Sequence, residues 1–433
     1  MSEQSQPDFT VEVFQNEYLP AGSSEVDAVI TVTSSGTAGW TQPMDTQAAE
    51  VIIIDCSASM RVPPTKIARA REATSAAIDA IRDGVAFAIV SGTHGAEHVY
   101  PLGGGMATAS TKTRQDAKRL VDGLQPHGGT AIGQWLRLAY SLFTSQPATL
   151  RHAILLTDGK NEHETPAELD AAIRLCDGVF TCDCRGVGTS WEVKELRRIS
   201  TALLGTVDIV PDPADLAADF TKMMKNAMGK ELADLSLRVW TPQNATVQQV
   251  KQVAPTVDDL TGRQVQVRPQ LNDYPTGAWG AESRDYHIRV RVAHAAVGQE
   301  MLAARVSLVH DSPSGPQVLC QGLVKAIWTD DEALSTRINS HVAHFTGQAE
   351  LADAIQEGLE ARKVGDERTA TVKLGRAVAL AHKSGNEETA KLLAKVVDVV
   401  DPATGTVRLK AKVADADEMA LDTRSTKTVR VKK

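Results

Sequence analysis

Aromatic side chains are scarce in this sequence of 433 residues, where Phe, Trp and Tyr together make up 4%. This scarcity argues against a surface that binds carbohydrate or single-stranded nucleic acid by stacking on rings. The formal net charge is −8 at pH 7, which disfavours non-specific binding of nucleic acid by the bulk of the protein. No nucleic-acid partner is therefore predicted.

Long apolar runs are also missing. No stretch approaches the ~20 apolar residues that span a bilayer, and the start "MSEQSQPDFT" lacks the basic and apolar regions of a secretory signal. The five cysteines lack the regular spacing of a disulfide framework and are expected to be reduced thiols. Cys182 and Cys184 alternate within one strand, without the paired CxxC clusters of a zinc site. The sequence predicts a cytoplasmic protein that does not insert into membranes.

Three motifs of common enzymes are absent. The sequence contains no GxxxxGK[ST] loop for nucleotide phosphates, no GxSxG nucleophile elbow and no HExxH zinc motif. Binding of a nucleotide by a P-loop is therefore not expected. A hydrolase of either class that uses the other two motifs is not expected either. We expect a protein that is not an enzyme.

Two patterns of apolar residues follow one another between residues 46 and 329. Residues 46–229 alternate apolar strands with helical segments, which is typical of a doubly wound, mostly parallel α/β sheet covered on both faces. Residues 234–329 contain strands without helices. There the alternation of Tyr286 and Ile288 with His287 indicates an antiparallel β-sandwich with one face in water.

The two ends of the chain have different patterns. Residues 1–45 contain two alternating runs that are too short to fold alone, so we expect them to pair with the sandwich and to make the α/β domain an insertion. Residues 333–400 show helical spacing, with Leu351 on one helix and Val372 on another, and predict an antiparallel helical bundle. Residues 401–433 contain few large apolar residues and predict a disordered basic tail.

Oxygen-bearing side chains follow the strands of the predicted α/β sheet. Asp55, Ser57 and Ser59 end the strand in "VIIIDCSASM", Thr130 follows two glycines just before a helix, and Asp158 ends the strand in "AILLTDGKN". Ligand sites of such sheets form at the carboxyl ends of the strands, near the switch in strand order. Three hydroxyls and two carboxylates suit a small, hard divalent cation, either Mg²⁺ or Mn²⁺.

These residues resemble the metal-ion-dependent adhesion site of the von Willebrand factor type A family, over residues 49–228. Asp55-x-Ser57-x-Ser59, the Gly-Gly-Thr130 segment and Thr-Asp158-Gly follow the order and spacing of that motif. The resemblance implies Mg²⁺ held by these five side chains, with Asp55 and Asp158 acting partly through water. It also implies a protein partner whose Asp or Glu carboxylate completes the coordination. Ala58 stands where many members carry glycine, but that position supplies no ligand.

The same residues also suit roles other than metal-dependent adhesion. Asp55 and Ser57 could cap the next helix, and Asp158 could begin a turn. A hydrolase would use Asp158 with Glu162 as general base and His163 beside it. A third alternative is a subunit that recruits a chelatase-like or MoxR-type AAA ATPase supplied by another chain.

The end of the sequence suggests a second kind of partner. "DTRSTKTVRVKK" holds four hydroxyl side chains among basic residues, namely Thr423, Ser425, Thr426 and Thr428. An exposed threonine in a flexible segment is suited to a Ser/Thr kinase, and its phosphate to a forkhead-associated domain. Thr423, which follows Leu421 and Asp422, is the favoured acceptor.

Overall fold

The computed structural model of the protein describes residues 9–36, 48–312 and 315–428. The chain divides into two compact units: Gln42–Leu232 form one, while Met1–Thr41 and Ala233–Lys433 together form the other. The first of these units is therefore inserted into the second, as the sequence predicts. The two are described separately below.

The chain enters the second unit through three strands: β1 (Phe9–Gln15), β2 (Tyr18–Pro20) and β3 (Glu25–Ser34). Their inward-facing residues include Val26, Ala28 and Ile30, which are fully buried. β1 and β3 form an antiparallel pair. Both then join strands from far along the chain, which are described after the inserted unit.

The inserted unit alternates strands with helices. The strands are β4 (Ala48–Asp55), β5 (Ala86–Gly92), β6 (Ala96–Tyr100), β7 (Ala107–Thr108), β8 (Leu150–Thr157), β9 (Thr181–Val187) and β10 (Val207–Val210). The helices are α1 (Thr65–Ala80), α2 (Thr111–Asp122), α3 (Ile132–Thr144), α4 (Pro166–Cys176), α5 (Val193–Ala202) and α6 (Leu216–Met228).

These strands form one sheet in the order β10-β9-β8-β4-β5-β6, and β7 pairs with β5. All pairs are parallel except those that β6 and β7 make with β5. Residues 51–54 of β4 are fully buried, because helices cover both faces of the sheet. The doubly wound α/β fold predicted from the sequence is confirmed. The strand order reverses at β4, between β5 and β8, so a ligand site is expected where β4 and β8 end.

After the inserted unit, eight strands follow without an intervening α-helix. They are β11 (Lys230–Trp240), β12 (Thr246–Ala254), β13 (Asp258–Asp259), β14 (Val265–Arg268), β15 (Leu271–Gly280), β16 (Ser283–Arg291), β17 (Glu300–Ser312) and β18 (Gly315–Thr329). One sheet has the order β1-β3-β16-β12-β13, and the other has the order β14-β15-β11-β17-β18-β2. The N-terminal strands thus contribute to both sheets, where the sequence places them.

Strand β16 shows why the alternation indicates a sheet with one wet face. Tyr286, Ile288 and Val290 are fully buried, whereas Arg291 is exposed. His287 differs from the predicted pattern, since it is 2% exposed. Its burial is compensated by the contact of its Nε2 atom with Oδ1 of Asp27 on the neighbouring strand β3, at 2.7 Å.

The C-terminal part of the second unit is mainly helical. It contains α7 (Glu332–Ser335), α8 (Ser340–Lys363), α9 (Glu367–Ser384), α10 (Glu387–Val396), the hairpin of β19 (Val397–Asp401) and β20 (Thr406–Leu409), and α11 (Asp415–Arg424). Leu351, Leu374, Leu393 and Leu421 share one core. Among the described residues, no helix is both long and apolar enough to cross a membrane.

The prediction of a disordered tail over residues 401–433 is wrong for its described part. Residues up to 409 complete the hairpin, α11 follows, and Val407 and Leu421 join the helical core. Thr423 is 1% exposed, and its Oγ1 atom donates to the carbonyl oxygen of Met419 at 2.9 Å. Ser425 is also buried. A kinase therefore cannot reach Thr423, the favoured acceptor, in the folded chain. Residues 429–433 of the predicted tail lie outside the described residues.

Candidate metal centre

The centre of the site is the carboxylate of Asp55, the last residue of β4. It is fully buried, and its Oδ1 atom accepts a hydrogen bond from the backbone N–H of Ser57 at 2.7 Å. Its Oδ2 atom accepts from Oγ1 of Thr157 at 2.6 Å and from the backbone N–H of Asp158 at 3.3 Å. Burial raises the pKa of Asp55 to about 6, and the charge of Asp158 acts in the same direction. A positive charge beside this carboxylate would favour its ionised form and lower the pKa of Asp55 again.

The two serines lie in the turn that follows β4. Their Oγ atoms are 2.9 Å apart, and the Oγ atom of Ser59 donates to Oδ1 of Asp158 at 2.6 Å. Ser57 is buried and Ser59 is exposed. The turn therefore joins the ends of β4 and β8 through hydroxyls and leaves one side open to solvent.

Thr130 reaches the site from the segment before α3. The backbone N–H of Ala131 donates to the carbonyl oxygen of Thr93 at 3.0 Å, which fixes this segment to the end of β5. A Cβ atom built on Gly159 would lie 3.3 Å from Oγ1 of Thr130 and 3.4 Å from Oγ of Ser59. The two hydroxyls thus border one small space. The structure brings all five sequence-predicted ligands to the same edge of the sheet.

These residues fit a hard divalent cation. Each of the five offers oxygen, and Mg²⁺ and Mn²⁺ prefer oxygen ligands. The space beside Gly159 provides room that any larger residue would fill. The described part of the chain holds no group of three or more His, Cys, Asp or Glu residues arranged for a metal ion. A metal ion at this place would need the hydroxyls as ligands as well as the two carboxylates.

The cysteines contribute no ligands to this site. All five are free, and Cys182 and Cys184 have their Sγ atoms 4.0 Å apart in the interior. Burial raises the pKa of Cys56 to about 11 and that of Cys176 to about 12, so both thiols stay protonated near neutral pH.

The loop after β8 holds Thr130 in place. The Nδ1 atom of His163 accepts from the backbone N–H of Thr130 at 3.2 Å, and the backbone N–H of His163 donates to the Thr130 carbonyl oxygen at 3.0 Å. Asn161 and Glu164 accept from the first two N–H groups of α3, those of Ile132 and Gly133, at 2.8 and 2.6 Å. These contacts tie the Asp158 loop to the Thr130 segment.

The sequence gives only partial signals for these supporting residues. Glu162 and His163 are visible as polar neighbours of Asp158, and the structure places both at the surface. His127 is exposed, and its Nδ1 atom lies 3.0 Å from the carbonyl oxygen of Gln125 in its own loop. No sequence pattern identifies Lys66 as part of the site. Its ammonium lies 2.5 Å from Oδ2 of Asp158.

Gly159→Ala is expected to weaken divalent-cation binding about tenfold without removing a ligand. The new methyl group would meet Oγ1 of Thr130 at 3.3 Å and take space that a metal-bound water needs. Titration with Mn²⁺, followed by the electron paramagnetic resonance signal of the free ion, measures the change. Gly95→Ala is a suitable control, since a Cβ atom there would meet nothing within 4 Å. Equal affinity in the Gly159→Ala and wild-type proteins would contradict the assignment of this space.

Two family models match the chain. One, described as the von Willebrand factor type A domain, matches residues 49–209, and another, described as the von Willebrand factor type A C-terminal domain, matches residues 379–425. The structure of a von Willebrand factor type A protein from Catenulispora acidiphila is 53% identical, with a TM-score of 0.94. That match covers 100% of this chain and 99% of the other. The chain belongs to the von Willebrand factor type A family.

The crystal structure of the ArnB paralog VWA2 from Sulfolobus acidocaldarius shares the fold with this von Willebrand factor type A protein. It is 14% identical, with a TM-score of 0.57 and coverage of 96% of this chain and 98% of that one. No curated protein matches the sequence. The C-terminal family model runs from the end of α9 through the hairpin to α11. It overlaps the predicted helical bundle up to residue 400 and the predicted disordered tail from 401 to 425.

Proposed function

We propose that this protein is a non-enzymatic, cytoplasmic binding protein that holds Mg²⁺ or Mn²⁺ and uses it to bind a partner protein. Asp55, Ser57, Ser59, Thr130 and Asp158 hold the ion, and an Asp or Glu carboxylate of the partner completes its coordination. The protein then acts as an adaptor whose binding depends on the metal.

The observation that carries this proposal is the convergence of the five side chains at one edge of the sheet. They come from three separate segments, and the hydroxyls of Ser59 and Thr130 face the same small space. Ser57 precedes a short 3-10 turn but makes no side-chain capping hydrogen bond there, and capping would not bring Thr130 and Asp158 to this place. Ser57 and Ser59 are uncharged ligands, so they neutralise none of the charge of a bound divalent ion. The ion therefore attracts a carboxylate.

The surroundings favour binding over hydrolysis. A hydrolase needs a general base within hydrogen-bond reach of the attacking water. The sequence suggests Glu162 as this base, with His163 beside it. Glu162 lies at the surface, and His163 uses Nδ1 to accept the backbone N–H of Thr130. We therefore assign His163 a positioning role.

Asp55→Ala is expected to remove Mn²⁺ binding by the full-length protein. Wild type should bind one ion with micromolar-to-millimolar affinity, because only two of the five side chains carry charge. Asp79→Ala is the matched control, since Asp79 lies on α1 and makes an exposed ion pair with Lys118. Isothermal titration calorimetry with Mn²⁺ or Mg²⁺ measures all three proteins. Unchanged affinity in Asp55→Ala would refute the site.

The partner is found by affinity capture from the native host in Mg²⁺ and in EDTA. A specific partner is retained by wild type in Mg²⁺ and is lost both in EDTA and with Asp55→Ala. An AAA ATPase among such partners would identify the alternative function, which uses the same metal chemistry. The kinase and forkhead-associated partners expected through Thr423 are not proposed, because Thr423 is buried.

A further inference from the structure

The metal centre already contains a positive charge from the protein itself. Lys66, the second residue of α1, places its Nζ atom 2.5 Å from Oδ2 of Asp158. The Lys66 side chain is 17% exposed and that of Asp158 is fully buried. The ion pair is thus largely shielded from water. In such shielded surroundings, two charges interact more strongly than they do at the surface.

The position of Lys66 in the helix makes this pair unusual. The first turn of a helix carries a partial positive charge, which disfavours a cation there. Other lysine pairs of the inserted unit, such as Lys118 with Asp79 and Lys160 with Glu192, are half-exposed surface contacts. Neither the helix dipole nor exposure to solvent favours the position of the Lys66 ammonium. The negative charge of the site favours it, and Lys66 partly neutralises that charge.

Asp158 uses its two oxygens for different partners. Oδ1 accepts from Oγ of Ser59 at 2.6 Å, while Oδ2 accepts from Lys66. The ammonium and the proposed cation therefore share one carboxylate. Two positive charges on one buried carboxylate repel each other, so Lys66 must weaken the binding of a divalent ion.

The same ammonium changes the charge of the loaded site. With Asp55 and Asp158 ionised, a divalent ion alone would give a neutral site, whereas Lys66 leaves one positive charge in excess. A carboxylate from a partner restores neutrality. Lys66 thus strengthens the binding of the partner's carboxylate and weakens the binding of the metal ion.

We propose that Lys66 is a built-in cation of the metal centre, which lowers its affinity for divalent metal and raises the affinity of the loaded centre for a carboxylate. The inference rests on the metal centre proposed above. It identifies Lys66 as a residue that sets the strength and selectivity of binding without being a metal ligand.

The test is titration of the full-length protein with Mn²⁺, followed by electron paramagnetic resonance of the free ion. Lys66→Met should bind Mn²⁺ about tenfold more tightly than wild type, and Lys66→Arg should resemble wild type because it keeps the charge. Lys118→Met is the matched control, because it removes the same charge far from the site. Lys118 pairs with Asp79, which lies about 20 Å from Lys66 along α1 by the helical rise per residue. This substitution should leave the affinity unchanged.

A second measurement separates the electrostatic role from a structural one. Acetate displaces water from the bound Mn²⁺ and lowers the proton relaxation rate of the solvent, and Lys66→Met should require several-fold more acetate than wild type. A merely structural role would make Lys66→Met bind Mn²⁺ more weakly. Equal or weaker Mn²⁺ binding by Lys66→Met overturns the inference. Absence of binding in wild type and in every variant overturns the metal centre as well.

Discussion

Replacing His152 with glutamine should lower the free energy of opening of the inserted unit by about 3 to 5 kcal/mol at neutral pH. His152 lies on β8 between two acidic side chains from the neighbouring strands. Its Nδ1 atom is 2.8 Å from Oε1 of Glu50, and its Nε2 atom is 3.1 Å from Oδ2 of Asp183. Glu50 is fully buried, so removal of the imidazole leaves a buried carboxylate without its partner.

The imidazole is charged in the folded protein. Burial alone would lower the pKa of His152, but the charge of Glu50 and the hydrogen bonds to Asp183 and Glu50 outweigh burial and raise it to about 10. The reference value is 6.5, so the stabilisation is fully present below about pH 6.5 and is lost as the pH rises towards 10. The difference in the free energy of opening between wild type and His152→Gln should therefore decrease as the pH rises from about 6.5 towards 10.

Hydrogen exchange of the β4 and β8 amides measures this free energy in the full-length protein. Lys118→Met again serves as control, because an exposed pair contributes less than about 1 kcal/mol. A His152→Gln effect below about 1 kcal/mol at neutral pH, or one of equal size at neutral pH and near pH 10, would show that His152 is not a buried cation.

Gly375→Ala should destabilise the C-terminal hairpin by about 1 to 3 kcal/mol, although alanine usually stabilises a helix. Gly375 lies within α9, and a Cβ atom there would come 2.4 Å from the carbonyl oxygen of Gly405 at the hairpin turn. Because the obstacle is backbone, rotation of a side chain cannot relieve the clash. The hairpin must move away from α9.

The control for Gly375→Ala is the same substitution at Gly347 in α8. A Cβ atom at Gly347 would meet nothing within 4 Å, so Gly347→Ala should stabilise the helix by up to about 1 kcal/mol. Hydrogen exchange of β19, β20 and α11 reports on the docking of the hairpin. The same sign of effect at both glycines would contradict the close packing of Gly375 against Gly405.

The convergence of the candidate ligands could be predicted because each of them is close to a strand end or a helix start. Asp55 and Asp158 adjoin strands whose apolar runs are plain in the sequence, and the ends of parallel strands lie at one edge. Lys66 could not be found in this way. The contact of Lys66 with Asp158 depends on the distance between the start of α1 and the end of β8. A local sequence pattern does not predict that distance.

The cluster of Glu50, His152 and Asp183 could not be predicted for a similar reason. Each is the third residue of its strand, and only the register of β8 with β4 and β9 brings them together. Register is a property of the whole sheet, so the three residues look unrelated in the sequence.

The C-terminal region shows where composition misleads. Helical spacing places Val372 on a second helix, and it does lie on α9, but it is 64% exposed, while Leu374 and Val378 occupy the core. The hairpin and α11 bury few large side chains. Their packing relies on close backbone approach at Gly375 and Gly405 and on small residues such as Ala420.

The insertion of one unit into the other sets an order of events during synthesis. Thr31 on β3 and Asp285 on β16 share a hydrogen bond at 2.5 Å, although 254 residues separate them. At about 5–20 residues per second, a ribosome needs on the order of 10 to 50 seconds to make that distance. The whole inserted unit emerges within this interval and can fold, while β1 and β3 wait with unpaired edges. For that time the unpaired backbone groups of these first strands are available for pairing with other chains.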